Sequence, residues 1–308
     1  MRAAERTTLG NTSVEVSGLS LGGAPFGEMF QAITDDQVTE TVHRAYDLGV
    51  RHFDTAPRYG NGESERRLGG ALRDLPRHTI IVSTKVAPAF GGNAHAIDES
   101  LQASLGRSTL DHFDIVHVHD PDDHMDDVLE TTFPRLRMLQ AEGAIGAVGA
   151  GMNHAAPLAR LVAEGVVDCV LLAGRWTLLD QSALDDLLPL SLERNVAVVA
   201  AGVFNSGVLA DPDADPTLAN FFYRPAPTDV LERVRRIRAV CETHGVSLGA
   251  AALQFPLTHP AVASVLVGCR SPQEVEINAA NFEVDIPPRL WRDLADHELL
   301  RRDALSAR

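Results

Sequence analysis

The sequence predicts a closed (β/α)8 barrel, and three observations support this fold class. Short runs rich in Val, Ile and Leu recur roughly every 30 residues, with amphipathic stretches between them. Most runs lack alternation of apolar and polar residues, as expected of strands covered on both faces. The 308 residues match a barrel of about 250 residues with terminal additions. The alternative, an open doubly wound sheet, would need a Gly-x-Gly-x-x-Gly turn that residues 21–27 do not supply.

Eight predicted strands supply the units of the repeat. They are 16–22, 50–53, 79–85, 113–119, 145–150, 167–172, 196–201 and 262–267. The intervening helices include 36–48, 94–105, 126–142 and 229–244, each with one apolar face. A hairpin over 7–16, turning at Gly10-Asn11, precedes the barrel, and a helix near 288–300 follows it. Residues 211–227 are predicted to form a long loop, and no linker divides the chain, so 1–308 is predicted to be one domain.

Composition narrows the classes of partner. The formal net charge of −15 argues against nucleic acid or an anionic membrane surface as the main partner. No apolar run approaches the roughly 20 residues of a membrane-spanning helix, and the first residues lack the apolar core of a signal peptide. Three scattered cysteines, Cys169, Cys241 and Cys269, are typical of reduced thiols. We therefore expect a cytoplasmic protein with a small-molecule partner.

One basic residue differs from all the others. Of 27 basic residues only Lys85 is a lysine, and it closes the third predicted strand. Active sites of (β/α)8 barrels lie at the carboxyl ends of the strands, and an ammonium, unlike a guanidinium, can lose its proton or form a Schiff base. Lys85 is therefore a candidate for chemistry, although codon bias that spared one lysine is an alternative explanation.

Polar side chains end the neighbouring strands as well. Asp54 follows the second strand and His119 ends the fourth, so both are predicted to converge with Lys85. Tyr59 lies five residues after Asp54, within reach of the same rim. A phenol has a pKa near 10, and a nearby ammonium favours its phenolate. The four residues are thus a candidate set for carbonyl–alcohol interconversion, with Tyr59 exchanging the proton and His119 donating a hydrogen bond to the substrate oxygen.

Simpler explanations exist for each residue separately. Asp54 could cap a turn, Lys85 could form a weak rim salt bridge, and His119 could be a core histidine. His117 faces the same way as His119, so His-x-His with the acidic residues 120–124 could instead bind a metal. No further ligand set appears at later strand ends, so we expect no metal, and four compatible groups at three consecutive strand ends favour catalysis.

The motifs around this set resemble the signature of the aldo-keto reductase family. They are Asp-Thr-Ala-x-x-Tyr-Gly at 54–60, Glu-Ser-Glu at 63–65, Leu-Gly at 68–69, Ser-Thr-Lys at 83–85 and His-Asp-Pro at 119–121. The resemblance runs to Asn278 and implies a (β/α)8 barrel, a nicotinamide cofactor, the tetrad Asp54, Tyr59, Lys85 and His119, and a monomer or weak homo-oligomer. Residues 173–181 and 204–207 resemble the branch that contains L-fucose (D-threo-aldose) and pyridoxal dehydrogenases.

The resemblance also implies where the dinucleotide binds. Residues 267–278, after the eighth strand, are similar to the family's adenosine-phosphate site, and barrels commonly bind phosphate there. The implied cofactor contacts are Gly23, Ala24, Asn153, Gly202, Phe204, Ser206, Gly268, Arg270, Glu274 and Asn278. Glu274 would repel a 2′-phosphate, whereas Arg270 could pair with one. We expect NAD to be preferred over NADP. Departures from the family pattern are Ala201, where many members have a stacking aromatic residue, and Ile277, where an adenine-contacting glutamate is usual.

Three aromatic residues, Phe26, Phe90 and Trp176, lie in predicted rim loops and are candidate walls of the substrate pocket, with core packing as the alternative. The expected function is an NAD(P)-dependent oxidoreductase that oxidises a sugar or a similar hydroxylated substrate. A pyridoxal-type or general aldehyde and ketone reductase is the nearest alternative. Two other classes stay open: an aldolase that uses Lys85 as a Schiff base, and a non-catalytic regulatory protein that binds the cofactor.

Overall fold

The computed structural model describes residues 2–29, 31–89, 91–210, 220–221 and 224–305. Its strands are β1 (Arg6–Thr8), β2 (Glu15–Ser17), β3 (Leu19–Gly22), β4 (His52–Asp54), β5 (Ile81–Val86), β6 (Ile115–His119), β7 (Ala147–Met152), β8 (Cys169–Ala173), β9 (Ala197–Ala201), β10 (Asn220–Phe221), β11 (Arg224–Pro225) and β12 (Val262–Gly268). Strands β3 to β9 follow one another around a closed parallel barrel, and β12 closes it between β9 and β3. The predicted (β/α)8 barrel is confirmed.

Helices cover the outside of the barrel. They are α1 (Asp35–Asp47), α2 (Glu63–Leu72), α3 (His95–Ser108), α4 (Met125–Asp127), α5 (Phe133–Ala141), α6 (Ala155–Ala163), α7 (Leu187–Arg194), α8 (Thr228–Thr243), α9 (Leu248–Gln254), α10 (Pro272–Phe282) and α11 (Pro288–Asp296). Thr34 begins α1 with a capping box that includes Gln37, and Ser271 caps α10 by accepting from the backbone N–H of Glu274. None of the helices in the described ranges is long and apolar enough to cross a membrane.

Two predicted elements are divided in the structure. The run 16–22 breaks at Gly18, whose N–H donates to the carbonyl of Glu5, so its first half pairs with β1 in the hairpin and only β3 enters the barrel. The helix predicted over 126–142 contains a π-helical turn at Val128–Thr132 between α4 and α5. Pro134 has no N–H to continue the α-helical hydrogen bonds, which accounts for the break beside it.

The loop predicted over 211–227 falls largely outside the described residues. Of this segment the structure describes 220–221 and 224–227, where β10 pairs with β11 in a short antiparallel ribbon. Immediately after it α8 begins at Thr228, as the amphipathic pattern over 229–244 predicts.

Apolar side chains fill two layers of the molecule. The larger layer lies between the barrel and its helices. A smaller layer lies in the floor of the barrel, where Leu9, Val14 and Val16 of the hairpin pack beneath inward-facing residues of β6 to β9 and β12. The hairpin thus closes the amino-terminal end of the barrel, and the carboxyl ends of the strands remain the place for a ligand.

Candidate active site

A buried ion pair lies at the carboxyl end of β4 and β5. The Nζ atom of Lys85 donates to Oδ2 of Asp54 at 2.6 Å and to the backbone carbonyl of Thr55 at 2.9 Å. Asp54 and Lys85 are each only 1% exposed. Oδ1 of Asp54 accepts from the hydroxyl of Ser83 at 2.7 Å, because the parallel register places Ser83 directly beside Asp54. The lone lysine of the chain therefore points into the barrel.

Each partner of this pair stabilises the charge of the other. Burial by itself raises the pKa of Asp54, but the charge of Lys85 and hydrogen bonds from Lys85 and Ser83 hold that pKa below its ordinary value. Burial likewise favours the neutral amine, yet the charges of Asp54 and Tyr59 and their hydrogen bonds raise the pKa of Lys85. At neutral pH the pair is thus a carboxylate and an ammonium.

Tyr59 lies over the ammonium. Its ring centre is 4.8 Å from Nζ of Lys85, and its hydroxyl contributes to the raised pKa of that lysine. The tyrosine begins a turn at Tyr59–Gly62 in which Gly60 and Asn61 adopt left-handed backbone angles. A Cβ atom on Gly60 would lie 2.4 Å from the carbonyl oxygen of Gly27, so glycine is required for the turn to pack against the loop after β3. This contact holds Tyr59 at the rim.

His119 faces Tyr59 across the mouth of the barrel. The two ring centres are 5.8 Å apart with an interplanar angle of 89°, an edge-to-face contact. Burial, together with the charges of Lys85 and Arg58, lowers the pKa of His119 to about 3. The imidazole is therefore neutral at neutral pH and presents an N–H donor. Asp54, Tyr59, Lys85 and His119 lie together, as their positions at the strand ends predict.

His117 lies deeper in the barrel, in register with Lys85 and Gly149. It is fully buried, and among the described residues neither ring nitrogen has a hydrogen-bond partner. A Cβ atom on Gly149 would lie 2.3 Å from Nδ1 of His117, so the glycine makes room for the ring. In the described part of the chain no three His, Cys, Asp or Glu side chains are grouped to hold a metal ion.

The loops after β3 and β12 meet beside the ion pair. Gly23 donates its N–H to the carbonyl of Asp54 at 2.7 Å, and its own carbonyl accepts from Ser64. Ala24 begins the 3-10 turn Ala24–Gly27. A Cβ atom on Gly268, at the end of β12, would lie 2.9 Å from Cγ of Pro25, so a larger residue would push the two loops apart.

Two further loops at the rim carry predicted cofactor contacts. Asn153 follows β7, and its carbonyl accepts from Nε of Arg175 at 2.8 Å. After β9, Gly202 and Ser206 are exposed with left-handed backbone angles, while Phe204 is half-buried against the core. Asn205, which the sequence did not single out, is buried, and its Oδ1 has no hydrogen-bond partner among the residues that the structure describes.

The segment that opens α10 contains an internal ion pair. Glu274 accepts from the backbone N–H of Arg270 at 2.7 Å and from its guanidinium at 2.8 and 3.1 Å. Asn278 is buried, and its side-chain N–H donates to Sγ of Cys269. Arg270 is therefore paired with a carboxylate of its own segment.

Two of the three predicted pocket walls are core residues. Phe26 is 0% and Trp176 1% exposed, so both belong to the core and not to a surface that contacts substrate. The indole N–H of Trp176 donates to the carbonyl of Pro256, and its ring packs 4.8 Å from that of Phe255. Phe90 lies outside the described residues. Aromatic residue type and loop position did not distinguish an exposed wall from a packed core residue.

Sequence analysis also missed Ser83 and His52, which hold Asp54 from below. Ser83 donates to Asp54 and lies 2.9 Å from Nε2 of His52. A signal for His52 was present, since it lies two residues before Asp54 on the same strand and therefore on the same face. Alternation along β4 and β5 would have placed both residues inside the barrel.

The comparisons with known proteins agree with this geometry. The model of the "Aldo/keto reductase family" matches residues 18–298. An aldo-keto reductase of Bacillus halodurans in its holo form superposes with a TM-score of 0.77 at 23% identity, covering 97% of each chain. That likeness shows the fold, and the family match covers most of the chain. The protein belongs to the aldo/keto reductase family.

Curated relatives point to dehydrogenases within this family. The chain is 36% identical to D-threo-aldose 1-dehydrogenase of Pseudomonas sp, with 92% of this chain and 95% of the relative covered. It is 34% identical to pyridoxal 4-dehydrogenase of Microbacterium luteolum, over 97% and 99% of the two chains. L-galactose dehydrogenase of Arabidopsis thaliana is 32% identical, over 91% and 88%. The chain is an NAD(P)-dependent oxidoreductase.

Proposed function

We propose that the chain interconverts an alcohol and a carbonyl compound by hydride transfer, with Tyr59 as the general base or acid. One observation carries the proposal: the buried Lys85 ammonium lies 2.6 Å from the Asp54 carboxylate and 4.8 Å from the Tyr59 ring centre. A bound nicotinamide dinucleotide supplies the hydride acceptor for oxidation and the hydride donor for reduction. The residues of the chain handle the proton that accompanies the hydride.

Tyr59 exchanges that proton with the substrate oxygen. In oxidation its phenolate takes the hydroxyl proton while the hydride leaves the adjoining carbon, and in reduction its phenol returns a proton to the carbonyl oxygen. Lys85 stabilises the phenolate by charge attraction, and Asp54 holds Lys85 charged and in place. The neutral His119 imidazole donates a hydrogen bond to the same substrate oxygen.

The rim residues fit a dinucleotide. The buried Oδ1 of Asn205, which has no hydrogen-bond partner among the described residues, is an acceptor and so suits a hydroxyl or amide donor of the dinucleotide, not its pyrophosphate. The backbone N–H groups at the start of the 11-residue helix α10 form a region that attracts phosphate. Asn153, Gly23 and Ala24 would contact the nicotinamide end, by their match to the family pattern.

The Arg270–Glu274 pair supports a preference for NAD. A 2′-phosphate near Arg270 would meet the carboxylate of Glu274, which already accepts three hydrogen bonds from Arg270. A ribose hydroxyl, by contrast, can donate to that carboxylate. The same pair supports a weaker role for Arg270, the residue that argued for NADP in the sequence, as a phosphate ligand, because a phosphate would have to compete with Glu274 for its guanidinium.

Glu274→Gln is the test of cofactor preference. Loss of the carboxylate should free Arg270, so we expect the ratio of kcat/KM with NADP to that with NAD to rise roughly 3- to 10-fold. Glu276→Gln is the matched control, because Glu276 lies on the same helix but pairs with Arg44. An unchanged ratio in Glu274→Gln, or an equal rise in both variants, would contradict the assignment.

We infer that the physiological reaction is oxidation of a sugar or a similar hydroxylated compound. The support is the similarity to three dehydrogenases, two of which are named for sugar substrates. The test is a panel of aldoses, pyridoxal-type compounds and simple aldehydes with NAD(H) and NADP(H), followed by the absorbance of the reduced nicotinamide. Highest kcat/KM for an aldose with NAD is the expected result, and activity confined to simple aldehydes would reject the inference.

Tyr59→Phe tests the mechanism. Without the phenolic oxygen, turnover in both directions should fall at least about 100-fold, while NAD binding measured by fluorescence titration stays within about twofold of wild type. Tyr46→Phe is the matched control, because its hydroxyl binds Thr79 on the outer layer of the molecule. Turnover of the Tyr59 variant at the wild-type level would reject the proposed role.

The Schiff-base alternative is not favoured by the state of Lys85. A lysine nucleophile must be a neutral amine, whereas this side chain is an ammonium that donates to Asp54 and to the carbonyl of Thr55. Borohydride treatment with substrate should therefore leave Lys85 unmodified, as judged by mass spectrometry. A reduced covalent adduct on Lys85 would support the aldolase instead.

A further inference from the structure

A line of buried hydrogen bonds runs from the candidate active site into the barrel. The Ser83 hydroxyl donates to Oδ1 of Asp54 at 2.7 Å, and Oγ of Ser83 lies 2.9 Å from Nε2 of His52. All three side chains are at most 1% exposed. They come from adjacent strands, β4 and β5, whose register brings their inward faces together.

The line continues to the floor of the barrel. Nδ1 of His52 is 3.0 Å from Oγ of Ser20, which is 2.6 Å from Oγ of Ser264. Ser264 lies 2.7 Å from the carbonyl oxygen of Ser17. We name Ser83, His52, Ser20 and Ser264 the His52 network, and each of its members is 0% exposed.

The charge of Asp54 sets the direction of these hydrogen bonds. An ionised carboxylate only accepts, so the hydroxyl of Ser83 must donate to it. Because Ser83 has one hydrogen, its oxygen must accept from Nε2–H of His52. A neutral imidazole then has a bare Nδ1, which accepts from the hydroxyl of Ser20. A hydrogen bond between His52 and Ser83 therefore requires the Nε2–H tautomer of His52.

A count of hydrogens shows where this polarity leaves a contact unfilled. With His52 neutral, the four members contribute one hydrogen each, whereas the line from Asp54 to Ser17 contains five contacts. One contact is therefore without a hydrogen. The directions derived above place it at the Ser264 end, the end remote from Asp54. The Nδ1–H tautomer would also fill four of the five contacts, but it would leave the contact between His52 and Ser83, next to the carboxylate, without a hydrogen.

We propose that His52 is a positioning residue for the reaction. By donating to Ser83 it keeps the Ser83 hydroxyl aimed at Oδ1 of Asp54, and this leaves Oδ2 for Lys85. The proposal rests on the proposed function, in which Lys85 stabilises the Tyr59 phenolate. It adds that the orientation of the ion pair is set from inside the barrel, by residues that touch neither substrate nor cofactor.

The first test reads the tautomer directly. Nitrogen-15 NMR of the histidine rings of the whole protein, with His52→Gln used to assign the signal, should show a protonated Nε2 and a bare Nδ1 for His52. The charged and titratable groups that act on His52 are Asp54, Lys85, Asp114 and the His117 ring, and none of them donates to Nδ1. An Nδ1–H tautomer would overturn the proposal, whatever the enzyme's activity.

The second test reads the proton-transfer step. His52→Leu and Ser83→Ala should each lower kcat for oxidation roughly 10-fold and move the rising limb of its pH profile upward by roughly one pH unit, because the phenolate is less stabilised. Cofactor binding should stay within about twofold. His52→Gln, whose amide N–H can replace Nε2–H, should in contrast to His52→Leu keep the pH profile of the wild type.

Controls separate this proposal from a loss of packing and from failure of the proposed function. Ser191→Ala removes a buried hydroxyl on α7 that has no hydrogen-bond partner in the described part of the chain, and it should leave the profile unchanged. If His52→Leu fails to fold, Ser83→Ala and the NMR measurement decide. Wild-type profiles in folded His52→Leu or Ser83→Ala would overturn the proposal, whereas wild-type turnover in Tyr59→Phe would overturn the mechanism and leave the tautomer result standing.

Discussion

Two halves of the barrel interior have opposite chemistry. On β4 to β6 most inward positions are polar or charged, with His52, Asp54, Ser83, Lys85 and His117, although Ile115 of β6 belongs to the apolar floor. On β8 and β9 the corresponding positions are apolar: Cys169, Leu171, Ala197 and Val199 belong to the cluster in the barrel floor. Both halves are continuous parallel ladders of the same closed sheet. The backbone N–H and C=O groups are thus hydrogen-bonded in the same way on both sides, and only the side chains differ.

The comparison shows how a buried polar surface is tolerated. Closure of the barrel pairs the backbone regardless of side chain, so the polar half needs only side-chain partners. Asp54, Lys85, Ser83 and His52 each have one, and in the described residues His117 does not. We infer that the polar half supplies the chemistry and the apolar half does not, so substitutions on the two sides should differ in their effect on turnover.

The largest effect is expected for Lys85→Met in the polar half. The change removes the cation and leaves the Asp54 carboxylate buried without its partner, which should lower the free energy of unfolding by about 3–5 kcal/mol. Turnover should fall at least about 100-fold. The double variant Asp54→Asn with Lys85→Met should regain stability without regaining turnover. Urea denaturation measures the free energy of unfolding, and steady-state kinetics measure turnover. A Lys85→Met variant that keeps most of its activity would contradict the assignment of chemistry to the polar half.

A smaller loss of stability, without a loss of turnover, is expected for Val199→Ala in the apolar half. This fully buried side chain loses two methyl groups, which should lower the free energy of unfolding by about 2 kcal/mol. kcat should stay within about threefold of wild type, because Val199 belongs to the apolar cluster and not to the ion pair. A loss of kcat as large as that of Lys85→Met, measured at equal folded fraction, would show that the halves are not separable.

The smallest effect concerns the pH dependence of stability. Burial lowers the pKa of His117 from an ordinary 6.5 to about 3, so the folded state binds fewer protons than the unfolded chain between these values. Its contribution to stability is complete above the unfolded pKa and is lost as the pH falls. His117→Gln should flatten the slope of unfolding free energy between about pH 4 and 6 by about 1.4 kcal/mol per pH unit.

The control for this measurement is His95→Gln, because the His95 side chain is 76% exposed and should leave the slope unchanged. Urea denaturation at a series of pH values gives the slope for wild type and both variants. An identical slope in wild type and His117→Gln would mean that the histidine keeps its proton in the folded barrel. That result would remove His117 from the group of neutral buried side chains.

Much of the fold follows from local patterns in the sequence. The barrel strands were predicted to within a few residues, since buried parallel strands are short apolar runs and the helices between them are amphipathic. The two divided elements depend on particular groups, namely the N–H of Gly18 that pairs with Glu5 and the missing N–H of Pro134. Hydropathy patterns contain no information on such single hydrogen bonds.

The residues of the candidate site also fall into those that the sequence predicts and those that only the structure reveals. Asp54, Lys85 and His119 could be found from the sequence because strand ends of a parallel barrel meet at one rim, wherever the strands lie along the chain. Only the tertiary structure showed that Phe26 and Trp176 are core residues. It also showed that Glu274 pairs with Arg270, and that His52 hydrogen-bonds to the Ser83 hydroxyl that binds Asp54. These features depend on which side chains meet across strands and loops, and burial and hydrogen-bond partners are properties of the packed molecule.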